Sequence, residues 1–380
     1  MKQTDKFWRI GVFHDTCNPG LGGHLTHLAF KGLPRTEIVA LVDSNQDGIE
    51  ERKREVGAAR HYSSLLELLE TEPVDILVVC SRLPGDHAEP IAAALARGIH
   101  IYCEKPLTSG LEEADHIVEQ ARLHGVRIAV AHLGRHAAVF QTAKQMIERG
   151  EIGRVLSFYG RGKEDHRGGG EDMLVLGTHI LDLACFFFGT PESVIADITI
   201  EGRPILADDR SETAEPIGPV AGDEVVAMYK FPGGVRAWFE SRRGMAECGV
   251  RMGLTIVGTT GMLAVRFDEE RKLRLSRSSC PLEDETHFEE VPLPDDGTIP
   301  GALPFNLEGY KGHQQYFLRN NRRAAWDLIC ALEDGREPLA SAQDAKTVLE
   351  MIYGAYTSQL KGRIEHFPLS ERRCPLEITP

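Results

Sequence analysis

The stretch Ile99-His100-Ile101-Tyr102-Cys103-Glu104-Lys105-Pro106 joins a short apolar strand to a charged loop. This strand is the fourth in a series of alternating strands and helices. A lysine directly after it lies at the carboxyl edge of a parallel sheet, where open α/β folds bind their ligands. The proline that follows fixes the backbone, with a cis bond as one option, so the direction of the lysine side chain is restricted. Taken alone, such a Lys-Pro is an ordinary loop, and its meaning depends on the surrounding pattern.

The first third of the chain alternates apolar strands with amphipathic helices. Strands are predicted over 8–13, 37–43, 74–80, 99–103 and 126–131, and helices include 23–31, 87–97 and 111–124. Strands with few polar residues, separated by such helices, predict a parallel sheet covered on both faces. We therefore expect an α/β fold whose residues 1–131 form a Rossmann-type, doubly wound parallel sheet, the arrangement of a nucleotide-binding domain.

The rest of the chain, 132–380, has longer strands with two distinct faces. Examples are predicted over 194–200, 225–231, 235–241, 254–257 and 262–267, followed by helices over 321–333 and 342–360. This pattern predicts a carboxyl-terminal α+β domain with a large, mostly antiparallel open sheet. We assign substrate binding and oligomerisation to this domain. An exposed sheet face of this size is commonly buried against another copy, so we expect a homodimer or homotetramer.

Composition excludes several classes of protein. The net charge of −14 over 380 residues repels polyanions, so nucleic acid is not an expected partner. No apolar run approaches the ~20 residues that span a bilayer, so no membrane contact is expected. Eight cysteines without a C-x-x-C pair indicate thiols in a reducing cytoplasm. Histidine pairs occur at His24 and His27 and at His132 and His136, but without a close third ligand they predict no metal site.

A glycine-bearing loop and a carboxylate suggest the cofactor. Gly20, Gly22 and Gly23 follow the first strand after an unusually long turn and can let backbone amides approach a pyrophosphate. Asp43 ends the second strand, 20 residues after Gly23, where a carboxylate can accept hydrogen bonds from both adenosine ribose hydroxyls. Ser44-Asn45 supply no arginine to offset its charge, so NAD is favoured over NADP. The alternative is that Asp43 is a turn or helix-cap residue.

These features, with the segments 81–89, 130–135, 151–155 and 168–183, resemble the Gfo/Idh/MocA family of nicotinamide-dependent oxidoreductases. The resemblance covers nearly the whole chain. It implies that Ser81 and His87 lie along the dinucleotide, and we assign Glu104 to the cofactor with them. It also implies that His179 is the catalytic acid/base.

The sequence departs from the family pattern at one position near His179. Many members place an aspartate four residues before this histidine, where the chain has Val175. A proton relay through that carboxylate is therefore absent, or it is rebuilt from Asp172 or Asp182.

Alcohol oxidation needs a hydride acceptor, a base and a positive group that stabilises alkoxide character. NAD supplies the hydride acceptor. An unperturbed histidine has a pKa of ~6.5, which suits His179 to the role of base, and Lys105 suits the role of the positive group. Asp182 lies one helical turn after His179 and is predicted to orient it or to hold a substrate hydroxyl. Taken alone, a histidine like His179 is more often a satisfied helix histidine between domains. The family pattern that it shares with Lys105 reverses this preference and favours catalysis, with the two groups converging on the dinucleotide.

The segment 161–167 is dense in hydrogen-bonding side chains and suits a polyhydroxylated ligand, although a solvated loop explains it almost as well. The residues assigned to substrate are Lys105, Arg135, Lys163, His166, Asp172 and His179. The predicted function is NAD-dependent transfer of a hydride between the nicotinamide and a ring hydroxyl or ketone of a sugar or cyclitol. The alternatives are an NAD-dependent redox glycosidase and a catalytically silent, ligand-sensing homologue.

Overall fold

The structure is a computed structural model that describes residues 6–18, 20, 24–213, 217–245, 252–268, 270–280, 285–295 and 298–377. The chain divides into two compact units. The first contains residues 1–109, 113–136 and 296–345, and the second contains 110–112, 137–295 and 346–380. The sequence pattern predicts one division, after residue 131. The structure groups 296–345 with the first unit, which is therefore discontinuous in sequence.

The strands are labelled in chain order. They are β1 Trp8–Phe13, β2 Thr36–Val42, β3 Arg60–Tyr62, β4 Ile76–Val79, β5 His100–Cys103, β6 Ile128–Val130, β7 Val155–Arg161, β8 Ser193–Ile200, β9 Arg203–Pro204, β10 Glu224–Lys230, β11 Arg236–Arg242, β12 Gly253–Gly258, β13 Met262–Arg266, β14 Leu273–Ser276, β15 Glu289–Glu290 and β16 Glu365–His366.

The α-helices are labelled in the same way. They are α1 Ile49–Val56, α2 Leu65–Thr71, α3 Ala88–Leu95, α4 Leu111–His124, α5 Ala138–Glu148, α6 Gly170–Val175, α7 Gly177–Phe188, α8 Gly312–Asp334 and α9 Ala342–Lys361. No helix within the described ranges combines the length and the apolar character needed to cross a membrane.

The first unit is built on a parallel sheet of strand order β3-β2-β1-β4-β5-β6. Each neighbouring pair is parallel. Its strands are almost wholly buried, and β4 shows no exposed position, as expected when helices cover both faces. The predicted Rossmann-type sheet is confirmed.

Helix α8 is a part of the first unit that the sequence analysis assigned to the second domain. Ala325, Leu328 and Ile329 of this helix join the apolar cluster under β1 and β4. The hydroxyl of the buried Tyr102 on β5 donates to Asn321 Oδ1 at 2.6 Å. Each large apolar side chain buried here contributes about 1.5–3 kcal/mol, so α8 is a structural member of this unit.

The segment after the glycine-bearing loop differs from the predicted helix over 23–31. In the described residues it is a 3-10 helix, Thr26–Leu28, followed by further single turns. Gly32 has a φ of 69°, and Pro34 follows two residues later. A run this short is a marginal α-helix in any case. The prediction of a full helix here is wrong.

The second unit contains a sheet of order β15-β14-β13-β12-β7-β11-β10-β8-β16, with β9 paired to β8. Its pairs are antiparallel except for β7 with β11. The β10–β11 hairpin turns at Pro232–Gly234, as the sequence predicts. The large, mostly antiparallel sheet is confirmed. Helix α7 packs against β7 and β11, and the opposite face exposes apolar side chains, Tyr159 and Ile195 among them.

Candidate functional site

The carboxyl edge of the parallel sheet carries the residues assigned to the cofactor. The strand order reverses between β1 and β4, and open α/β sheets bind ligands at such a reversal. The described candidates on the loops at this edge are Gly20, Asp43, Ser81, His87, Glu104 and Lys105. Gly22 and Gly23 lie outside the described residues.

Gly20 is packed against the loop that follows β4. Its N–H donates to Asn18 Oδ1 at 2.6 Å, and its carbonyl accepts a hydrogen bond from the Arg82 N–H at 3.0 Å. A Cβ at this position would lie 2.5 Å from Leu83 Cγ and 2.7 Å from Ser81 Oγ. Because only a glycine fits this approach, Gly20 brings the loops after β1 and β4 together.

Asp43 follows β2 with its carboxylate inside the protein and no exposed surface. Its Oδ1 accepts hydrogen bonds from the N–H groups of Thr16 and Asn45, both at 3.0 Å. Its Oδ2 accepts one from Arg52 Nε at 2.6 Å, and the Thr16 hydroxyl lies within 3.0 Å of both oxygens. Burial alone would raise the pKa of Asp43, but these hydrogen bonds outweigh burial and lower it.

The predicted contact between Asp43 and ribose is therefore not open in this structure. A carboxylate has about four acceptor positions, and protein donors fill them. The alternative of a structural turn residue describes Asp43 as it stands. The sequence pattern does not predict Arg52 as the partner of Asp43, because this arginine comes from α1 and not from the residues directly after β2.

Ser81 lies beside Gly20, as a residue along the dinucleotide would, but its hydroxyl already has protein partners. It donates to Asp86 Oδ2 and accepts from the Leu83 N–H at 3.1 Å. Asn18 Nδ2 also donates to Asp86 Oδ2, at 2.6 Å. Asn18 and Asp86 were not predicted, since nothing in the sequence pattern connects two residues 68 positions apart.

His87 is fully buried, in contrast to its predicted place along the dinucleotide. Its Nε2 lies 2.7 Å from the Ser81 carbonyl oxygen, and its Nδ1 lies 3.0 Å from the Leu107 carbonyl oxygen. With no exposed surface and a backbone carbonyl beside each ring nitrogen, this ring holds the protein's own loops. It connects the loop after β4 to the segment that follows Lys105, and it is therefore a positioning residue.

Glu104 is also buried, and its carboxylate organises the loop around Lys105 instead of facing a ligand. Oε1 accepts hydrogen bonds from His24 Nδ1 at 3.2 Å and from the Thr26 hydroxyl, while Oε2 accepts one from the Lys105 N–H at 2.9 Å. Burial alone would raise the pKa of Glu104. The charge of His24 and the hydrogen bonds from His24 and Thr26 outweigh burial and lower the pKa to about 2.

Lys105 is 6% exposed, and its peptide bond to Pro106 is cis. It follows β5 at the carboxyl edge, as the sequence predicts. The Glu104 cluster fixes its backbone from one side and His87 holds Leu107, two residues later, from the other. The lysine is thus attached to a rigid segment of the first unit.

Arg135 was assigned to substrate, but the structure gives it a structural role. Its side chain is buried, with Nη1 donating to the Leu339 carbonyl at 2.9 Å and lying 3.0 Å from Asp344 Oδ1. This guanidinium joins the turn after β6 to the segment before α9. The correction follows from these contacts with Leu339 and Asp344, which lie about 200 positions away and which sequence position alone does not reveal.

In the second unit, His179 lies in the first turn of α7 and is half-buried. Asp182, three residues later, is 1% exposed and shares its side of the helix. Val175, which stands where many family members have an aspartate, is a buried residue of α6. Among the acids assigned to the site, Asp182 is therefore the one closest in sequence to His179, and it lies on the same side of α7.

Asp172 was also assigned to substrate, and the structure corrects this as well. It has no exposed surface, and its Oδ2 accepts hydrogen bonds from Ser241 Oγ at 2.6 Å and from the Glu164 N–H at 3.0 Å. A Cβ at Gly162 would lie 2.0 Å from this oxygen. Burial raises the pKa of Asp172. Its carboxyl group supports the glycine-rich turn before α6, where the Gly169 N–H donates to Ser241 Oγ.

Lys163 and His166 keep substantial exposure, 51% and 78% of their side chains. Both face Asp165, with Lys163 Nζ 3.1 Å from Oδ2 and His166 Nδ1 3.8 Å from Oδ1, and Arg167 Nη2 lies 2.8 Å from Oδ2. Burial opposes ionisation of Asp165, but hydrogen bonds from Arg167 and Lys163 lower its pKa. This polar cluster is compatible both with a hydroxyl-rich ligand and with a solvated loop.

Two family models match the chain. One, described as an oxidoreductase family with an NAD-binding Rossmann fold, matches residues 20–132, and the other, the GFO/IDH/MocA C-terminal domain, matches 140–264. The chain belongs to the Gfo/Idh/MocA family. The family predicted from the sequence motifs is confirmed, and so is NAD as its cofactor.

Curated relatives of this family member include dehydrogenases of cyclic polyols. A myo-inositol 2-dehydrogenase of Thermotoga maritima is 25% identical over 362 residues, 92% of this chain and 96% of that protein. A levoglucosan dehydrogenase of Pseudarthrobacter phenanthrenivorans is 27% identical over 276 residues, 65% of this chain and 69% of that protein. Two uncharacterized oxidoreductases of Schizosaccharomyces pombe are 35% and 33% identical, but over only 44% and 56% of their own lengths and 39% and 50% of this chain.

Solved structures share the fold. A levoglucosan dehydrogenase in complex with NADH and L-sorbose superposes with a TM-score of 0.72 at 22% identity, covering 96% of this chain and 100% of that one. An NAD-binding oxidoreductase from Klebsiella pneumoniae gives a TM-score of 0.72 at 22% identity, covering 95% and 99%. Identities this low establish the common architecture alone.

Proposed function

We propose that this family member transfers a hydride between NAD and a ring hydroxyl or ketone of a sugar or cyclitol. The observation that carries the proposal is the placement of Lys105, a buried lysine after β5 at the carboxyl edge of the NAD-binding sheet, whose backbone N–H is held by Glu104. The cyclic polyols named for the inositol and levoglucosan dehydrogenases support the substrate class.

The first unit fits the dinucleotide. The strand order provides the reversal at which such cofactors bind, and Gly20 forms a close loop contact that a Cβ would fill. Gly20 and the loop bearing Ser81 would hold the cofactor, with NAD favoured over NADP. The bound nicotinamide accepts or returns the hydride.

The protein's own groups handle the proton and the developing charge. We assign His179 as the base that takes the hydroxyl proton during oxidation and returns it during reduction, because imidazole exchanges protons near neutral pH. Lys105 stabilises the alkoxide character of the same oxygen. Asp182 orients His179, and Lys163 and His166 bind other hydroxyls of the substrate. The side chains of Arg135 and Asp172 are already engaged by Leu339 and Asp344 and by Ser241 and Glu164, which argues against their direct contact with substrate.

A panel of sugars and cyclitols, incubated with the protein and NAD, tests this proposal. Net formation of NADH, followed by its near-ultraviolet absorbance, is the expected result with at least one cyclic polyol. Release of free sugar from glycosides without net NADH would instead identify a redox glycosidase. A protein that binds a polyol but gives neither reaction would be a ligand-sensing homologue.

We also propose that the open face of the large sheet is covered by a second copy of the chain. Cross-strand neighbours Tyr159, Trp238, Met228 and Ile195 form one row over β7, β11, β10 and β8. Tyr159 stacks on Trp238 with ring centroids 4.9 Å apart, and Tyr159 and Ile195 are each 43% exposed. Such a patch favours self-association.

Light scattering of the purified protein tests the assembly. A mass of two or four times 42.1 kDa is expected, falling towards one chain in Trp238→Glu. A monomeric mass of the unaltered protein would contradict the assembly.

A cytoplasmic location is also proposed, because the seven cysteines within the described residues carry no disulfide. Recovery of the protein from a secreted fraction would argue against this location.

A further inference from the structure

The ribose of NAD needs a hydrogen-bond acceptor near the carboxyl ends of β1 and β2, and Asp43 does not offer one. In the structure its two oxygens already accept bonds from Thr16, Asn45 and Arg52, and the side chain has no exposed surface. Binding ribose there would require the loop after β1 to release Asp43. A second carboxylate lies at the same edge.

Asp15 follows β1 by two residues and is half-buried. Its Oδ1 accepts hydrogen bonds from the Cys17 N–H at 3.0 Å, from the Ser44 N–H at 3.3 Å and from Ser44 Oγ at 2.7 Å. One oxygen thus fixes the carboxylate between the ends of β1 and β2. Among the described residues, none donates a hydrogen bond to Oδ2.

This arrangement has the chemistry that recognition of a ribose requires. The orientation of the carboxylate is set by backbone and hydroxyl donors, while a whole oxygen remains to accept bonds from the 2′- and 3′-hydroxyls. A 2′-phosphate in the same place would meet the negative charge of Asp15. Asp43 instead has Arg52 as a cationic partner, with Nε at 2.6 Å from Oδ2, so its charge is already offset.

We propose that Asp15, not Asp43, reads the adenosine ribose and sets the preference for NAD over NADP. Asp43 then acts as a positioning residue that holds Thr16, the neighbour of Asp15, and Arg52. The proposal depends on the cofactor and not on the identity of the oxidised substrate, so it is tested by binding alone.

The test measures dissociation constants of NAD and NADP by calorimetry for the full chain and its variants. Asp15→Asn should weaken NAD binding roughly tenfold or more, the value of a charged hydrogen bond, and should narrow the gap between NAD and NADP. Asp47→Asn is the matched control, an exposed carboxylate on the loop after β2, and should change neither constant. An Asp15→Asn variant that binds both cofactors like the unaltered protein would overturn the proposal.

Thr16→Val tests the competing role of Asp43. If ribose displaced the Thr16 hydroxyl from Asp43, removing that hydroxyl would tighten NAD binding; the proposal predicts a constant within about twofold of the unaltered protein, and tightening would refute it. Thermal unfolding of each variant separates loss of fold from loss of affinity. An unaltered protein that binds neither cofactor would overturn the cofactor assignment together with this inference.

Discussion

Glu104 in the first unit and Asp172 in the second are both fully buried acids that hold neighbouring loops, yet their pKa values move in opposite directions. Burial opposes ionisation at both. At Glu104 the charge of His24 and hydrogen bonds from His24 and Thr26 outweigh burial and lower the pKa to about 2. At Asp172 the hydrogen bonds from Ser241 and Glu164 do not outweigh burial, and the pKa of Asp172 is raised. The balance between burial and the neighbouring charges and donors thus lowers the pKa of one buried carboxyl group and raises that of the other.

The comparison also separates two uses of a buried acid. The Glu104 cluster keeps an ionised carboxylate against the backbone of Lys105, so it belongs to the segment that we propose for catalysis. The Asp172 cluster supports a glycine-rich turn and needs only hydrogen-bond acceptors, which a neutral group also supplies. Substitutions should therefore affect the two regions differently.

The largest expected effect is on the lysine that Glu104 supports. Lys105→Met should lower turnover at least about a hundredfold, because the alkoxide loses its stabilising cation, while NAD affinity stays unchanged. Steady-state kinetics and calorimetry measure the two quantities. Lys53→Met, which removes a lysine paired with Glu50 on α1, is the control with unaltered turnover. An unaffected rate in Lys105→Met would remove its catalytic role.

Next in size is the stability supplied by Glu104. Its pKa is lowered in the folded protein, so its contribution is complete above the ordinary value of 4.5 and is lost as the pH falls towards about 2. Glu104→Gln should lower the free energy of unfolding at pH 7 by about 3 kcal/mol. Urea denaturation should show this difference shrinking between about pH 4.5 and pH 2. A difference that does not vary with pH would show that ionisation is not its cause.

A smaller effect is expected at His87, which holds the other side of the lysine segment. His87→Leu should lower turnover about tenfold with little change in NAD affinity, because Leu107 and Ser81 lose their shared partner. His87→Gln keeps one donor and should recover part of the rate. The control is His100→Gln at the opposite end of β5, where Nδ1 accepts a hydrogen bond from the Arg127 N–H at 3.0 Å. Equal rate losses in His87→Leu and His100→Gln would indicate general destabilisation.

The smallest effect is expected at Asp172. Asparagine preserves an acceptor for Ser241 and Glu164, so Asp172→Asn should change the free energy of unfolding by less than about 1 kcal/mol near neutral pH. Because the folded pKa is raised, the unaltered protein loses stability as the pH rises above 3.8, and the variant should not. Unfolding curves at several pH values measure this. If the stability of the unaltered protein relative to Asp172→Asn instead fell as the pH fell, as expected relative to Glu104→Gln, the raised pKa of Asp172 would be contradicted.

Much of the architecture was predictable because it rests on local periodicity. Helix α4 has the bounds predicted from its amphipathic pattern, and the hairpin at Pro232–Gly234 follows its turn residues. The prediction failed over 23–31, where apolar spacing suggested a helix and the following Gly32 and Pro34 left only short turns. Local periodicity does not tell a helix from a series of turns over so few residues.

The sequence by itself determined the Rossmann-type sheet, the family and the position of Lys105 after β5, because strand–helix alternation and short motifs are local properties of the chain. Only the tertiary structure decided which acids remain open to a ligand. Asp43 and Glu104 receive donors from residues 27 and 80 positions away. A carboxylate's acceptor capacity and its exposure depend on the loops that meet around it, and those meetings exist only in the folded chain.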